Sequence, residues 1–166
     1  LVGTTETTFG PNVPLTRGML VTILWRMMGR PAAQQNVTAY YSDVNAKMYY
    51  AEPIAWATEL EVAAGMGGGK FCPEEKVTRE QLAALFYRLA QVYSGKQEEI
   101  MPTEFAGFAE ARLISRYALP SFQWALEQKL IQGTRRRRLF PRRSATRAQM
   151  AVLLHRWQRY GGAKTI

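Results

Sequence analysis

Three copies of one short phrase constrain this chain more than anything else in it. Phe9-Gly-Pro11 is followed by Thr16-Arg17, Phe71-Cys-Pro73 by Thr78-Arg79, and Leu139-Phe-Pro141 by Thr146-Arg147. Eight residues separate the first apolar residue from the arginine each time, and an apolar pattern at helical spacing follows each arginine. Self-similarity of this kind marks a repeat architecture, in which each unit buries its apolar face against its neighbours. With the arginines as anchors, the offsets are 62 and then 68 residues. Leu20, Leu82 and Met150 then coincide, as do Leu24, Phe86 and Leu154, and also Arg26, Arg88 and Arg156. Trp56 and Trp124 each stand 23 residues before an arginine, and Gly65 and Gly133 each follow the tryptophan by nine. The first repeat has no counterpart of this upstream half. The expectation is an apolar patch beside Leu20, Ile23 and Leu24, or a helix borrowed from another copy of the chain to cover it.

Each unit reads as helix, loop, helix. The upstream helices are expected at about Ala51 to Val62 and Leu119 to Ile131, ended by Gly65 and Gly133 as left-handed C-terminal residues. The downstream helices start at the Thr-Arg pairs. Thr78 with Gln81 and Thr146 with Gln149 fit the capping box, whereas Thr16 has Met19 at the third position and caps without a reciprocal bond. Thr4 to Phe9 and Val37 to Tyr41 are expected to be briefly extended. The division predicted is 1–28 for the second half of repeat one, 29–39 as linker, and 40–90 for repeat two. A second linker at 91–104, repeat three at 105–160 and a tail at 161–166 complete it. The polar, Gly- and Pro-containing linkers mark the breaks.

Composition narrows the function. A 47% hydrophobic content suits a folded domain, and no run approaches the 18 apolar residues of a membrane span. The single Cys72 excludes an internal disulfide framework and a cysteine metal cluster. Net charge is +9, and it is uneven: residues 129–166 hold 11 Lys/Arg and no Asp/Glu, whereas 1–128 hold 11 against 13. The third repeat therefore attracts polyanions in general, whether nucleic acid, anionic glycopolymer or membrane surface. Catalysis has little support. The lone His155 reads as a packed residue, no serine stands in a nucleophile elbow, and no phosphate-binding glycine motif leads from a strand into a helix. No metal or cofactor is called for; Glu74-Glu75 has no partner cluster.

The order of phrases resembles the S-layer homology (SLH) domain family. Repeat two carries Tyr-Ser-Asp43-Val44, Tyr49-Tyr50, Ala55-Trp56-Ala57, Gly65-Met-Gly-Gly-Gly-Lys-Phe71, Pro73 and Val77-Thr78-Arg79-Glu80-Gln81. Repeat three follows with Phe108-Ala-Glu110, Ile114-Ser-Arg-Tyr117, Trp124-Ala125, Gly133 and Thr146-Arg147-Ala148-Gln149. The resemblance implies a mainly α fold, a pseudo-threefold module of three helix-loop-helix repeats around a central three-helix bundle, with ligand grooves between neighbouring repeats. It implies a non-catalytic, extracellular role at the bacterial surface. The module would bind secondary cell-wall polysaccharide attached to peptidoglycan, often through a pyruvyl group, and so hold a cargo domain of the same polypeptide. A helical nucleic-acid-binding module using the arginine-rich third repeat is the alternative.

The candidate polysaccharide-binding residues are Arg17, Arg79, Arg147, Tyr49, Tyr117, Asp43 and Gly67. A cation in the first turn of a helix opposes the macrodipole, so each arginine needs a reason beyond its own helix. Two readings stand. One is a ligand carboxylate held by guanidinium and helix N-terminus together. The other is pairing with an acidic side chain or with the C-terminal end of another helix. Tyr49 and Tyr117 occupy positions where the family commonly has an aromatic near the groove, fit to stack on a sugar ring; a core role is the other reading. Asp43 and Glu110 read as turn or helix-entry residues, with contact to ligand as the other reading. Gly67 and Gly69 would let a backbone approach a sugar, or serve turn geometry alone. Trp56 and Trp124 read as core. In repeat three, Thr134-Arg-Arg-Arg-Arg138 and Arg142-Arg143 replace the glycine turn, a change from the family's pattern.

Overall fold

The computed structural model describes residues 10–94, 108 and 110–160. Five α-helices account for most of the regular structure: α1 Arg17–Met27, α2 Ala51–Glu59, α3 Arg79–Ser94, α4 Leu119–Glu127 and α5 Arg147–Tyr160. Short 3-10 turns occupy Val37–Ala39, Ala111–Leu113 and Arg116–Ala118. Among the described residues there is no strand, only isolated bridges, so the fold is mainly α as expected. Val37–Ala39 is a 3-10 turn rather than extended, because Asn36 caps it through Thr38 N–H; Thr4 to Phe9 lie outside the described residues. The second linker starts later than expected, since α3 continues to Ser94.

The downstream helices begin where the Thr-Arg pairs place them. Gln81 N–H donates to Thr78 Oγ1 at 3.3 Å and Thr78 N–H to Gln81 Oε1 at 2.9 Å. Thr146 and Gln149 repeat this at 3.3 and 3.2 Å, and Met19 N–H donates to Thr16 Oγ1 at 3.2 Å. The upstream helices stop earlier than expected. Glu61 at φ 56° and Lys129 at φ 56° take the left-handed position just past α2 and α4, so the glycines are not the stops. Gly65 and Gly133 serve close approach instead. A Cβ on Gly65 would lie 2.7 Å from both Lys70 O and Tyr41 Cε1, and one on Gly133 would lie 2.6 Å from Phe108 Cε1.

Packing follows neighbouring repeats. α1 lies against α2, and α3 against α4, so each upstream helix covers the downstream helix of the repeat before it. Trp56 and Trp124 are buried in these seams, and Trp124 stacks at an angle on Tyr87 of α3, 5.5 Å between centroids. Phe86 of α3 meets Trp157 of α5 edge-on at 5.4 Å. Leu24, Phe86, Met150 and Trp157 belong to one contiguous core, with Leu154 packed against it.

The loops before the downstream helices close a ring. Leu15 N–H donates to Ala145 O, Ala145 N–H to Val77 O, and Val77 N–H to Leu15 O, at 2.8, 2.8 and 2.9 Å. The first-turn amides continue the pattern. Arg17 and Gly18 donate to Glu75 and Pro73 carbonyls, Arg79 and Glu80 to Arg143 and Pro141, and Arg147 and Ala148 to Val13 and Pro11. Helix-start N–H groups that would otherwise lack partners are thus filled by the neighbouring repeat's backbone.

The expected apolar patch beside Leu20, Ile23 and Leu24 is absent. Leu20 and Leu24 are fully buried, because α2 covers α1. The less covered downstream helix is α5. At matching positions, Thr22 of α1 is 3% exposed, Ala84 of α3 is 5% and Val152 of α5 is 47%. Ala148 and Ala151 are likewise less buried than Gly18, Glu80, Val21 and Ala83. His155, on the same face, is exposed rather than packed.

Candidate functional site

Two of the repeated arginines, Arg17 and Arg79, reach across to the loop of the next repeat. Arg17 Nε donates to Phe71 O at 2.9 Å and its Nη2 to Ala64 O at 2.6 Å, with the guanidinium carbon 4.5 Å from the Phe71 ring centroid. Arg79 copies this with Leu139 O at 2.9 Å and Gln132 O at 3.3 Å. Ala64 and Gln132 lie in the stretch between an upstream helix and the repeated phrase, and Phe71 and Leu139 open the phrase itself. Burial lowers the pKa of both guanidinia, in Arg17 against the opposing pull of nearby Cys72, Tyr41, Glu75 and Asp43. Arg147 is buried as well. Among the described residues no acidic side chain pairs with Arg17 or Arg79; backbone carbonyls in the loops after α2 and α4 fill the role. The helix-start amides are also occupied, so a ligand anion would not reach them as the sequence reading supposed.

Asp43 and Glu110 brace the same phrase from the other side. Asp43 Oδ1 and Oδ2 accept from Phe71 and Cys72 N–H, both at 2.8 Å. Glu110 Oε2 accepts from Leu139 and Phe140 N–H at 2.7 and 2.9 Å, while its Oε1 meets Arg138 at 2.9 Å. Each pair of amides precedes or includes a left-handed residue, Cys72 at φ 57° or Phe140 at φ 49°, and Gly10 at φ 60° stands at the matching place in repeat one. For Asp43, partial burial raises the carboxyl pKa, but the two amides outweigh it and hold it below its ordinary value. The Phe140 amide is the main cause of the same lowering in Glu110, helped by Arg138 and Leu139 N–H against partial burial.

The two tyrosines behave differently from core residues. Tyr49 is 53% exposed and Tyr117 56% exposed. Tyr50, beside Tyr49, is the buried one; it packs where a Cβ on Gly18 would lie 2.8 Å from its Cδ1. Tyr49 meets Tyr50 edge-on at 4.9 Å. Tyr117 donates to Glu80 Oε1 at 3.5 Å, and Ser115 donates to Glu80 through its N–H at 3.0 Å and its hydroxyl at 2.8 Å. Burial raises the pKa of the Tyr117 hydroxyl; Glu80 adds to this, and Arg88 and Arg17 oppose it. Tyr49 is raised by burial and Glu74 and opposed by Arg26. Each tyrosine therefore stands within electrostatic reach of an exposed arginine from the aligned set Arg26, Arg88 and Arg156.

Gly67 lies at φ 105° in an exposed turn with open space where a Cβ would be. A cleft of about 310 Å³ opens between the start of α3, residues 130–133 and α5, lined by Arg79, Gln132, Gln149, Val152 and Arg156. Arg156 is held there by Leu130 O at 3.0 Å and Gln132 Oε1 at 3.1 Å. The sequence reading missed Glu80, which is buried and organises Ser115 and Tyr117. Its repeat partners are Gly18 and Ala148, so alignment gave no sign of it; the aligned arginines were visible, but not their role beside the tyrosines. Among the described residues, no three His, Cys, Asp or Glu side chains converge as a metal site would require, and no helix is long and apolar enough to cross a membrane.

Comparison with known proteins adds two findings. The family model described as the S-layer homology domain matches residues 40–83. The chain is 30% identical over 155 residues, 93% of its length, to an endoglucanase of Bacillus sp. (strain KSM-635), of which it spans 16%. It is 25% identical over 92% of its length to an amylopullulanase of Thermoanaerobacterium thermosulfurigenes, spanning 8% of that protein. It is 23% identical over 92% of its length to exoglucanase XynX of Acetivibrio thermocellus, spanning 14%. The chain thus corresponds to a small part of each of these relatives.

Proposed function

We propose that this chain, whose residues 40–83 match the S-layer homology domain, works as a three-repeat, pseudo-threefold module that binds anionic secondary cell-wall polysaccharide. An S-layer homology domain is itself a non-catalytic, cell-wall anchoring module, which points to the cell surface. The ring of loop hydrogen bonds supports the threefold reading, because each repeat gives and receives the same contacts. The cargo would be further domains of the same polypeptide, as the short span on each relative suggests.

The observation that carries the ligand reading is Tyr117. Its ring is half exposed while its hydroxyl rests on buried Glu80, with Arg88 and Arg17 nearby. A fixed aromatic face fits the apolar side of a sugar ring, and flanking guanidinia fit a carboxylate such as a pyruvyl group. Tyr49 with Arg26 makes the equivalent platform one repeat earlier. In this reading Arg17, Arg79 and Arg147 fix the groove walls and lend positive potential. Asp43 shapes the loop behind Tyr49, and Gly67 keeps its turn low enough for a polymer to pass. Titrating purified wall polysaccharide into Tyr117→Ala and Tyr49→Ala tests this. Each should weaken binding by about tenfold, the loss of roughly 1.4 kcal/mol expected of one stacking contact, at unchanged melting temperature. Full affinity in the double variant would remove the platforms from the account.

A further inference from the structure

The arginine turn of repeat three closes with the same hydrogen bond as the glycine turn of repeat two. In repeat two, Met66 N–H donates to Lys70 O at 2.8 Å; in repeat three, Thr134 N–H donates to Arg138 O at 2.9 Å. The closure is the same, yet Arg137 at φ 53° stands where Gly69 stands at φ 66°. A side chain in the left-handed region is strained where glycine is not. The left-handed position is thus held by a cation rather than by glycine.

The surroundings concentrate that charge. Arg135, Arg136, Arg137, Arg138, Arg142 and Arg143 are all exposed. The Arg138 and Arg143 guanidinia each lie 4.5 Å from the Phe140 ring centroid, and Arg137 lies 5.8 Å from that of Phe108. Stacking on rings limits the freedom of these side chains, and Arg138 is held further by Nε and Nη2 donating to Glu110 Oε1. Glu110 is the carboxylate that meets the patch, and it meets Arg138 alone among the described residues. From residue 129 to the end the chain supplies no other acid. Six like charges held together cost the folded state electrostatic energy that a matching anion returns.

We propose that this turn is a second binding site, separate from the tyrosine platforms, for a flexible linear polyanion with closely spaced charges. One small anion would leave most of the six arginines unpaired. A rigid duplex cannot wrap its phosphates around so short a patch, and residues 1–128, with 11 Lys/Arg against 13 Asp/Glu, add no net positive charge to extend it. A flexible chain is able to fold its charges onto the short footprint of the turn.

The test uses the whole chain and long-chain inorganic polyphosphate as probe, with affinity measured by fluorescence anisotropy across a salt series. The variant combines Arg135→Ser, Arg136→Ser and Arg137→Gly, the last restoring the glycine that repeat two uses. A control combines Lys47→Gln, Lys70→Gln and Lys76→Gln, which removes the same charge from exposed sites elsewhere. The arginine variant should lose at least about tenfold in affinity, and its log–log salt slope should flatten by about 2, at ~0.7 per lost contact. Its melting temperature should equal or exceed that of the parent, and the control should change far less. An equal loss in the control would reduce the effect to net charge and overturn the proposal. So would unchanged binding in the arginine variant, or equally tight binding of duplex DNA to the parent at the same salt.

Discussion

Replacing Arg17 with alanine removes the tie between α1 and the loop of the next repeat. Two hydrogen bonds to carbonyl oxygens are lost, at 2.9 and 2.6 Å, together with the stack on Phe71. Hydrogen bonds from a charged donor are worth about 1.5–3 kcal/mol each, and a stacked guanidinium adds about 0.5–1 kcal/mol. Against this, the folded protein no longer has to strip water from a buried cation, which costs several kcal/mol before compensation. The balance is about 3 kcal/mol of lost stability. For a domain of this size that corresponds to a fall in melting temperature of roughly 6–12 °C. Arg17→Lys should recover less than half, because an ammonium lacks the planar fork that spans two carbonyls. Thermal unfolding followed by circular dichroism reads both. A fall of less than about 2 °C, under 1 kcal/mol at this size, would refute the structural role, and the arginine would return to being a ligand residue alone.

Packing predicts a contrast between matching positions. Ala84→Val on α3 should destabilise by about 1–3 kcal/mol, since that site is closed by α4. Val152→Ala on α5 should cost under about 0.5 kcal/mol, the usual scale for a surface change; denaturant midpoints measure both. Asp43 and Glu110 have folded pKa values below their ordinary ones, so their stabilisation is complete above the ordinary carboxylate range and is lost as pH falls through the folded values. Melting temperature should therefore drop steeply below about pH 4, and more shallowly in an Asp43→Asn, Glu110→Gln double variant. An identical acid profile in that variant would place the acid sensitivity elsewhere.

Local signals in the sequence were read well, and contacts across repeats were not. The two capping boxes join residues three apart, so Thr78–Gln81 and Thr146–Gln149 were visible as pairs. The helix ends were misplaced because Glu61 and Lys129 adopt the left-handed conformation that usually signals glycine. The arginine column is plain in the sequence, but the partners of Arg17 and Arg79 are main-chain oxygens, and backbone acceptors leave no mark on side-chain pattern. The ring through Leu15, Val77 and Ala145 is invisible for the same reason. Glu80 and Ser115 are 35 residues apart, and Glu80 has no acidic counterpart in the other repeats. The expected bare patch fell on the wrong helix because the reading paired helices within a repeat, whereas α2 and α4 cover the repeat before their own.

Co-sedimentation with wall sacculi tests the central claim most directly. Sacculi that keep their polysaccharide and sacculi from which it has been chemically extracted are incubated with the parent chain and with the Tyr49→Ala, Tyr117→Ala variant. The account predicts that the parent chain pellets with intact sacculi, stays in solution with extracted ones, and largely fails to pellet in the variant form. Equal pelleting with intact and extracted sacculi would contradict it, because the anchor would then not be the polysaccharide.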